Sequence, residues 1–275
     1  MPLRRSSIPP IQIRTILRVA VAAASAAGSE VASRFRDRPR RDVERKGAGD
    51  FVTRIDRAVE RSLRRFLLDA FPTHDFVGEE SGASRPDADF VWVVDPIDGT
   101  SNFAQGLPVH AVSVACLHRG QPIAAALHCA PGQQTYRAGL GLGAFCGRSR
   151  LRVPAARLDD ASILGAQWFR GEFAPEFLAP LCRSGARIRT FGSTVTQICD
   201  VVAGRLHANL QLQGKLWDIA AVSLLAEEAG ARFTDFRGRR ILPFPDFDGD
   251  RHYPSITAPT GIHRTLVRLL REVAP

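Results

Sequence analysis

The feature that most constrains this chain is a short apolar run that ends on two carboxylates. Residues 90–94 are almost entirely apolar, which predicts a buried strand. The segment Asp95-Pro-Ile-Asp98-Gly-Thr100 follows, where a proline bends the chain and a glycine lets the backbone turn closely. Two carboxylates and a backbone carbonyl at a strand end are the hard oxygen ligands that Mg²⁺ prefers. Taken alone, however, the segment is equally typical of a surface Asx turn.

Three other acidic segments can each be explained structurally when taken alone. The segment Asp50-Phe-Val-Thr53-Arg-Ile-Asp56 precedes a helix, where acids and threonine act as caps. Gly78-Glu79-Glu80-Ser81 is compatible with a loop after a short strand. Asp218 follows Trp217 at the start of a long apolar helix, a position typical of an N-cap. Their combination with the first segment is what indicates a common site.

Composition narrows the class of protein. The chain has 275 residues, of which 45% are hydrophobic, enough for one large domain or two modest lobes. The five cysteines contain no CxxC pair, which argues against a disulfide framework or a zinc ribbon and favours a reducing cytoplasm. No purely apolar run reaches the roughly 18 residues of a membrane helix. The net charge of +9 suits nucleic acid or phosphorylated substrates, although a solvated arginine-rich surface is the favoured explanation of its densest basic cluster.

Hydrophobic periodicity divides the chain into elements. It predicts helices over residues 13–36, 56–71, 174–184, 194–203, 217–228 and 260–272, and strands over residues 75–80, 90–94, 109–117, 122–128, 134–138, 150–153, 162–167, 186–190 and 231–234. Residues 38–49 are predicted to form a charged loop, and residues 139–143 a hairpin turn. We therefore expect a flexible extension over residues 1–12, an N-terminal α+β lobe over 13–154 with most of the metal ligands, and a C-terminal α/β lobe over 155–275.

The four acidic segments occur in the order seen in the inositol monophosphatase family. They are Asp50-x-Val-Thr53-x-x-Asp56, Gly78-Glu79-Glu80-Ser81, Asp95-Pro-Ile-Asp98-Gly-Thr100-x-Asn-Phe103 and Trp217-Asp218-Ile-Ala-Ala221. The chain resembles this family from about residue 13 to about residue 270. The resemblance implies an α/β (α+β) fold, a layered α/β/α/β/α sandwich of the sugar-phosphatase type. It also implies a lithium-sensitive, Mg²⁺-dependent phosphomonoesterase that acts as a homodimer.

The resemblance implies a role for each matching residue. Two to three Mg²⁺ ions would be held by Glu79, Asp95, the Ile97 carbonyl group, Asp98 and Asp218. Thr100, oriented by Asp50, would act with Glu79 and a metal ion to activate a water for direct attack on phosphorus. The substrate and its phosphate would meet Asp98, Gly99, Thr100, Gly192, Ser193, Thr194, Gln211 and Asp218.

Two positions depart from the inositol-selective pattern. The resemblance implies that inositol-selective members carry a glutamate seven residues before the aspartate of the Trp-Asp pair. This chain has Gln211 at that position, and the glutamine side chain carries no charge. A second family aspartate is replaced by His207. Inositol 1-phosphate is therefore the default substrate, and histidinol phosphate, fructose 1,6-bisphosphate and other small sugar phosphates remain open. A protein of another class, a regulatory protein that binds nucleic acid or a transcription complex, is the competing hypothesis.

Overall fold

The structure is a computed structural model that describes residues 8–36, 43–47, 50–83, 88–167 and 174–273. The helices are α1 (Pro10–Arg36), α2 (Arg54–Ala70), α3 (Thr100–Gln105), α4 (Ala174–Arg183), α5 (Thr194–Val202), α6 (Leu216–Glu228) and α7 (Thr260–Leu269). The strands are β1 (Val43–Gly47), β2 (Asp50–Thr53), β3 (Asp75–Gly78), β4 (Gly82–Ala83), β5 (Phe90–Asp98), β6 (Ala111–His118), β7 (Gln121–Cys129), β8 (Gln134–Gly139), β9 (Gly143–Cys146), β10 (Ser149–Leu151), β11 (Ile163–Gln167), β12 (Arg187–Arg189), β13 (Ala208–Gln211), β14 (Arg232–Thr234) and β15 (Ser255–Ala258).

Two large sheets organise the described part of the chain. The first has eight strands in the order β10-β9-β8-β7-β6-β5-β3-β4, and its one parallel pair is β3 with β5. The second has five strands in the order β12-β11-β13-β15-β14. In it, β11 runs parallel to both β12 and β13, whereas β15 runs antiparallel to its neighbours. The largely antiparallel first sheet and the mixed second sheet agree with the predicted α/β (α+β) fold.

Helices and sheets alternate in layers. Helices α1 and α2 pack on the first sheet, and α5 and α6 fill the space between that sheet and the second one. Helices α4 and α7 cover the other face of the second sheet, where Phe177 and Leu266 join its apolar core. This arrangement is the predicted α/β/α/β/α sandwich. The central helical layer carries two of the segments that the sequence assigns to the site.

The first helix is buried along one side. Ile13, Ile16, Ala20 and Ala24 recur at helical spacing, are almost fully buried and contribute to the core. By length and composition alone, α1 would also suffice to cross a membrane. It begins at Pro10, before the predicted start, because proline fits the first turn of a helix. Of the predicted N-terminal extension, residues 1–7 lie outside the described part.

Several elements differ from the sequence prediction. The predicted charged loop over residues 38–49 is wrong for Val43–Gly47, which pairs with β2 in a hairpin. Strands β13 and β15 were not predicted either. Both place polar side chains such as Asn209 and Thr257 on a fully buried face, so hydropathy does not reveal them. Residues 154–160 lie between β10 and β11, and a division of the chain into lobes at this point stays a prediction.

Candidate active site

The ends of two parallel strands bring the first two carboxylates together. In the β3–β5 pair, Gly78 lies opposite Val94, so the residues that follow, Glu79 and Asp95, come side by side. The charge of Glu79 is one of the causes that raise the pKa of Asp95 above its usual range, after burial. Sheet register therefore explains why residues 16 positions apart in the sequence meet.

Asp98 is held by donors from the start of α5. The backbone N–H groups of Thr194 and Val195 donate to its two carboxylate oxygens over 3.2 and 2.9 Å. The Ser193 hydroxyl also donates to it, while capping α5 by accepting from the Thr196 N–H. Burial raises the pKa of Asp98 to about 6, and the rise is limited by the hydrogen bonds from these donors. The carboxylate is thus oriented by a rigid cradle.

Asp218 reaches the site from the first turn of α6. Its carboxylate accepts a hydrogen bond of 2.7 Å from the backbone N–H of Lys215. The Ser113 hydroxyl donates to the Trp217 carbonyl over 3.3 Å. Because Ser113 lies opposite Asp95 in the β5–β6 pair, this bond anchors the start of α6 to the strand that carries Asp95.

Asp95, Asp98 and Asp218 form a cluster. Their carboxylate oxygens lie within 4.8 Å of one another, and both Asp95 and Asp98 are buried. Burial raises the pKa of Asp95 well above its usual range, and the charges of Glu79, Asp98 and Asp218 raise it further. Buried like charges at this separation need an opposite charge. An all-oxygen set of this kind fits Mg²⁺.

The Thr100 hydroxyl lies beside this cluster with two acceptors. Its Oγ1 is 2.9 Å from the Ile97 carbonyl oxygen and 3.2 Å from Asp56 Oδ1. The side chain of Asp50, the predicted partner of Thr100, lies outside the described residues. Asp56 was not assigned this contact from the sequence. The signal was available, because Asp56 is an acid on the buried stripe of α2 that Val59 continues.

Two further residues of the site were missed. Glu60 is almost fully buried on α2 and accepts a 2.8 Å hydrogen bond from the Glu80 N–H, which fixes the loop that carries Glu79. Ser113, described above, is a small polar residue in an otherwise apolar strand. An acid on an apolar helix stripe and a serine inside an apolar strand are the patterns that would have indicated them.

The backbone around Gly99 is tightly packed. Gly99 adopts φ +87°, and a Cβ atom there would lie 2.9 Å from the Val109 carbonyl oxygen and 3.1 Å from that of Gly192. Asn102 links the same two segments, because its Nδ2 donates to the carbonyl oxygen of Val109 over 2.8 Å and to that of Phe191 over 2.6 Å. The predicted phosphate side and the predicted substrate side therefore touch through backbone atoms.

Gln211 is fully buried on β13. Its carboxamide group is oriented so that both the nitrogen and the oxygen have hydrogen-bond partners. In this orientation, Nε2 donates to the Gln167 carbonyl oxygen over 3.0 Å. Its Oε1 accepts from Thr194 Oγ1 over 2.9 Å and from the Gly214 N–H over 3.3 Å. The group predicted to meet substrate is thus engaged by protein atoms, and its role toward substrate stays a prediction.

Comparison with known proteins agrees with this geometry. The sequence profile of the Inositol monophosphatase family matches residues 12–273. The chain belongs to the inositol monophosphatase family. This confirms the resemblance inferred from the four acidic segments.

Three relatives illustrate the breadth of the family. Over 239 residues the chain is 36% identical to the Nus factor SuhB of Pseudomonas aeruginosa, covering 82% of this chain and 87% of that protein. Over 230 residues it is 35% identical to an inositol-1-monophosphatase of Rhizobium meliloti, covering 81% and 86%. The solved structure of the Thermotoga maritima IMPase superposes with a TM-score of 0.83 at 28% identity, covering 94% of this chain and 97% of that one.

Proposed function

We propose that this member of the family is a Mg²⁺-dependent phosphomonoesterase for a small polyol or sugar phosphate. The observation that carries the proposal is the cluster of Asp95, Asp98 and Asp218, with Glu79 and Thr100 beside it. Two or three Mg²⁺ ions would be held by these carboxylates and by the Ile97 carbonyl oxygen. When bound, they would neutralise phosphate charge and lower the pKa of water.

The side chains supply the rest of the chemistry. Hydrolysis joins the oxygen of water to phosphorus and breaks the ester P–O bond, and the proton that leaves the water balances the one that the departing alcohol needs. Glu79 and Thr100 would orient the water, with the hydroxyl of Thr100 backed by Asp56 at 3.2 Å. The amides of Gly99 and Thr100, at the start of α3, would face the phosphate, as would the segment that starts at Gly192. Such chemistry depends on positioning and charge neutralisation more than on a covalent intermediate.

The substrate is the least constrained part of the proposal. Inositol 1-phosphate is the default, and the Rhizobium meliloti relative is named for that activity. Gln211 and His207 replace family acids, so histidinol phosphate and fructose 1,6-bisphosphate are tested as alternatives.

The test is phosphate release from about twenty polyol, sugar and amino-alcohol phosphates, with and without Mg²⁺. We expect release that requires Mg²⁺ and that Li⁺ inhibits. Absence of release from every compound would reject the enzymatic proposal. Size-exclusion chromatography with light scattering checks the proposed homodimer, and fractionation of the source cells checks the proposed cytoplasmic location.

A second function is favoured by a different observation. The Pseudomonas aeruginosa relative is named a Nus factor, and this chain carries a net charge of +9. We propose as the alternative a regulatory role on nucleic acid or a transcription complex. A gel-shift titration with RNA at low salt tests it, since phosphate contacts make such binding fall steeply with salt. No shift at low salt would remove this alternative.

A further inference from the structure

We propose that Gln197 is a positioning residue that holds the Asp98 carboxylate in the geometry required for metal binding. Gln197 lies on α5 and is fully buried. Among the described residues, its side chain forms hydrogen bonds with Phe191 and Asn209, and neither belongs to the carboxylate cluster. The inference rests on the proposed function, because it assigns Asp98 to a metal ion. It extends that function to a residue outside every motif that the sequence indicated.

The carboxamide of Gln197 links the second sheet to the loop before α5. Its Nε2 donates to Asn209 Oδ1 on β13 over 2.6 Å. Its Oε1 accepts from the backbone N–H of Phe191 over 2.7 Å. The nitrogen of this buried amide therefore fixes the side chain to β13, and the oxygen fixes the loop at Phe191.

The loop is fixed at the same residue from the opposite side. Asn102 donates to the Phe191 carbonyl oxygen over 2.6 Å, so both polar backbone atoms of Phe191 are held by side-chain amides. The chain then passes through Gly192 to Ser193, Thr194 and Val195, which all donate to Asp98. A shift of Phe191 would thus move the donors that orient Asp98.

The amide pair is a poor arrangement if stability alone is considered. Asn209 Nδ2 is buried and has no hydrogen-bond partner among the described residues, which is unfavourable. On β11, a Cβ at Gly165 would lie 2.8 Å from Asn209 Oδ1 and 3.0 Å from Gln197 Nε2. The absence of a side chain at Gly165 thus leaves room for the pair. These features are explained if the amide acts on the Asp98 cradle.

Gln197→Met is the first test, because methionine fills a similar volume but offers no amide. We measure the rise in melting temperature caused by Mg²⁺ alone, and the Mg²⁺ concentration for half-maximal phosphate release. Loss of a residue that orients a metal ligand changes metal affinity or activity by roughly tenfold to a hundredfold. We expect a shift of that size toward higher Mg²⁺ in both measurements. Unchanged Mg²⁺ dependence in this variant would overturn the proposal.

Gln197→Glu tests whether the hydrogen bonds are what matters. A buried carboxyl group tends to stay protonated, and its O–H and C=O groups can then replace both amide bonds. We expect this variant to stay within about threefold of the wild-type Mg²⁺ dependence, well inside the usual effect of losing an orienting residue. Equal losses in the Glu and Met variants would overturn the proposal.

Two further variants separate positioning from general disturbance of the core. Thr257 lies opposite Asn209 in the β13–β15 pair, and its buried hydroxyl group has no hydrogen-bond partner among the described residues. Thr257→Val removes this hydroxyl group, and we expect wild-type Mg²⁺ dependence. Gly165→Ala removes no polar group but crowds the amide pair, and we expect the same direction of change as in Gln197→Met. A change in Thr257→Val as large as in Gln197→Met would count against the proposal.

The melting-temperature measurement also separates this inference from the proposed enzymatic function. If Mg²⁺ stabilises the wild type but no phosphate is released, the enzymatic proposal fails and the Gln197 variants still decide the inference. If Mg²⁺ does not stabilise the wild type, Asp98 is not a metal ligand and the inference is wrong.

Discussion

At the scale of single residues, the site is defined by carboxylates that lie close to one another. Asp95 and Asp98 are buried close to Asp218, and burial raises the pKa of both. Hydrogen bonds from the donors at the start of α5 limit the rise in the pKa of Asp98, whereas neighbouring acids raise the pKa of Asp95 further. This asymmetry is expected of a site completed by a cation.

The Thr100 hydroxyl gives the first prediction. Thr100→Val keeps the shape of the side chain but removes the group that lies between Asp56 and the Ile97 carbonyl oxygen. If this hydroxyl takes part in proton transfer from water, turnover falls by about a hundredfold or more. Steady-state kinetics measure the change, and Thr100→Ser serves as the control that keeps the hydroxyl. Equal rates for the Val and Ser variants would exclude a role for the hydroxyl.

At the scale of elements, the site depends on how closely backbone segments approach. The turn at Gly99 touches the carbonyl groups of Val109 and Gly192, so β5, α3 and the loop before α5 meet without side chains between them. Gly99→Ala adds a methyl group to this contact at a positive φ. We expect destabilisation by about 3 kcal/mol or more, measured by urea unfolding.

Gly230 provides a matched control for that substitution. Its φ is +88°, close to the +87° of Gly99, but nothing lies within 4 Å of the position that its Cβ would take. Gly230→Ala is therefore expected to lose only about 1–2 kcal/mol from backbone strain. Equal losses in the two variants would show that the close approach at Gly99 contributes nothing.

The elements also show how much of the structure can be predicted from the sequence. Helices α1 and α2 were predicted because apolar residues recur in them at helical spacing, whereas strand β5 and helix α6 were predicted from apolar runs with clear ends. Strand β13 was not, because a buried face with Asn209 and Gln211 carries no hydrophobic signal. Family membership was predictable from four short segments. The burial of Asp56 was predictable from its place on the apolar stripe of α2, but its contact with Thr100 was not, because that contact depends on how α2 docks against β5.

At the scale of the whole molecule, the layers place the site where the first sheet meets the central helices. The first sheet supplies Glu79, Asp95 and Asp98, and the central layer supplies Asp218 and the donors to Asp98. On the second sheet, the buried amides of Asn209 and Gln211 form hydrogen bonds with Gln197 and Thr194 of α5. Metal binding is therefore expected to stabilise the assembly of both sheets as well as the site.

The stability of the whole fold gives a prediction about pH. His74 is buried between the rings of Phe71 and Phe90, whose centroids lie 4.6 and 4.8 Å from its own, and burial lowers its pKa to about 4. In the unfolded chain the pKa is about 6.5, so the unfolded state takes up a proton first as pH falls. His74 is thus expected to cause a loss of stability between about pH 6.5 and pH 4.

His74→Phe keeps the aromatic stack and removes the titrating group. We expect the loss of unfolding free energy between pH 7 and pH 5 to be smaller in this variant by about 1 kcal/mol, allowing for solvent near the ring. Urea unfolding at the two pH values measures it. An identical pH dependence in wild type and variant would contradict the burial of a neutral His74.

The central claim, that these carboxylates hold Mg²⁺ for phosphate hydrolysis, is tested most directly by one measurement. Phosphate release is followed as a function of Mg²⁺ concentration in the wild type, in Asp98→Asn and in Asp89→Asn, which alters an exposed carboxylate paired with Arg119. We predict that Asp98→Asn lowers turnover at least about a hundredfold, because a charged ligand is lost. Asp89→Asn should match the wild type. Near-normal turnover in Asp98→Asn would contradict the account.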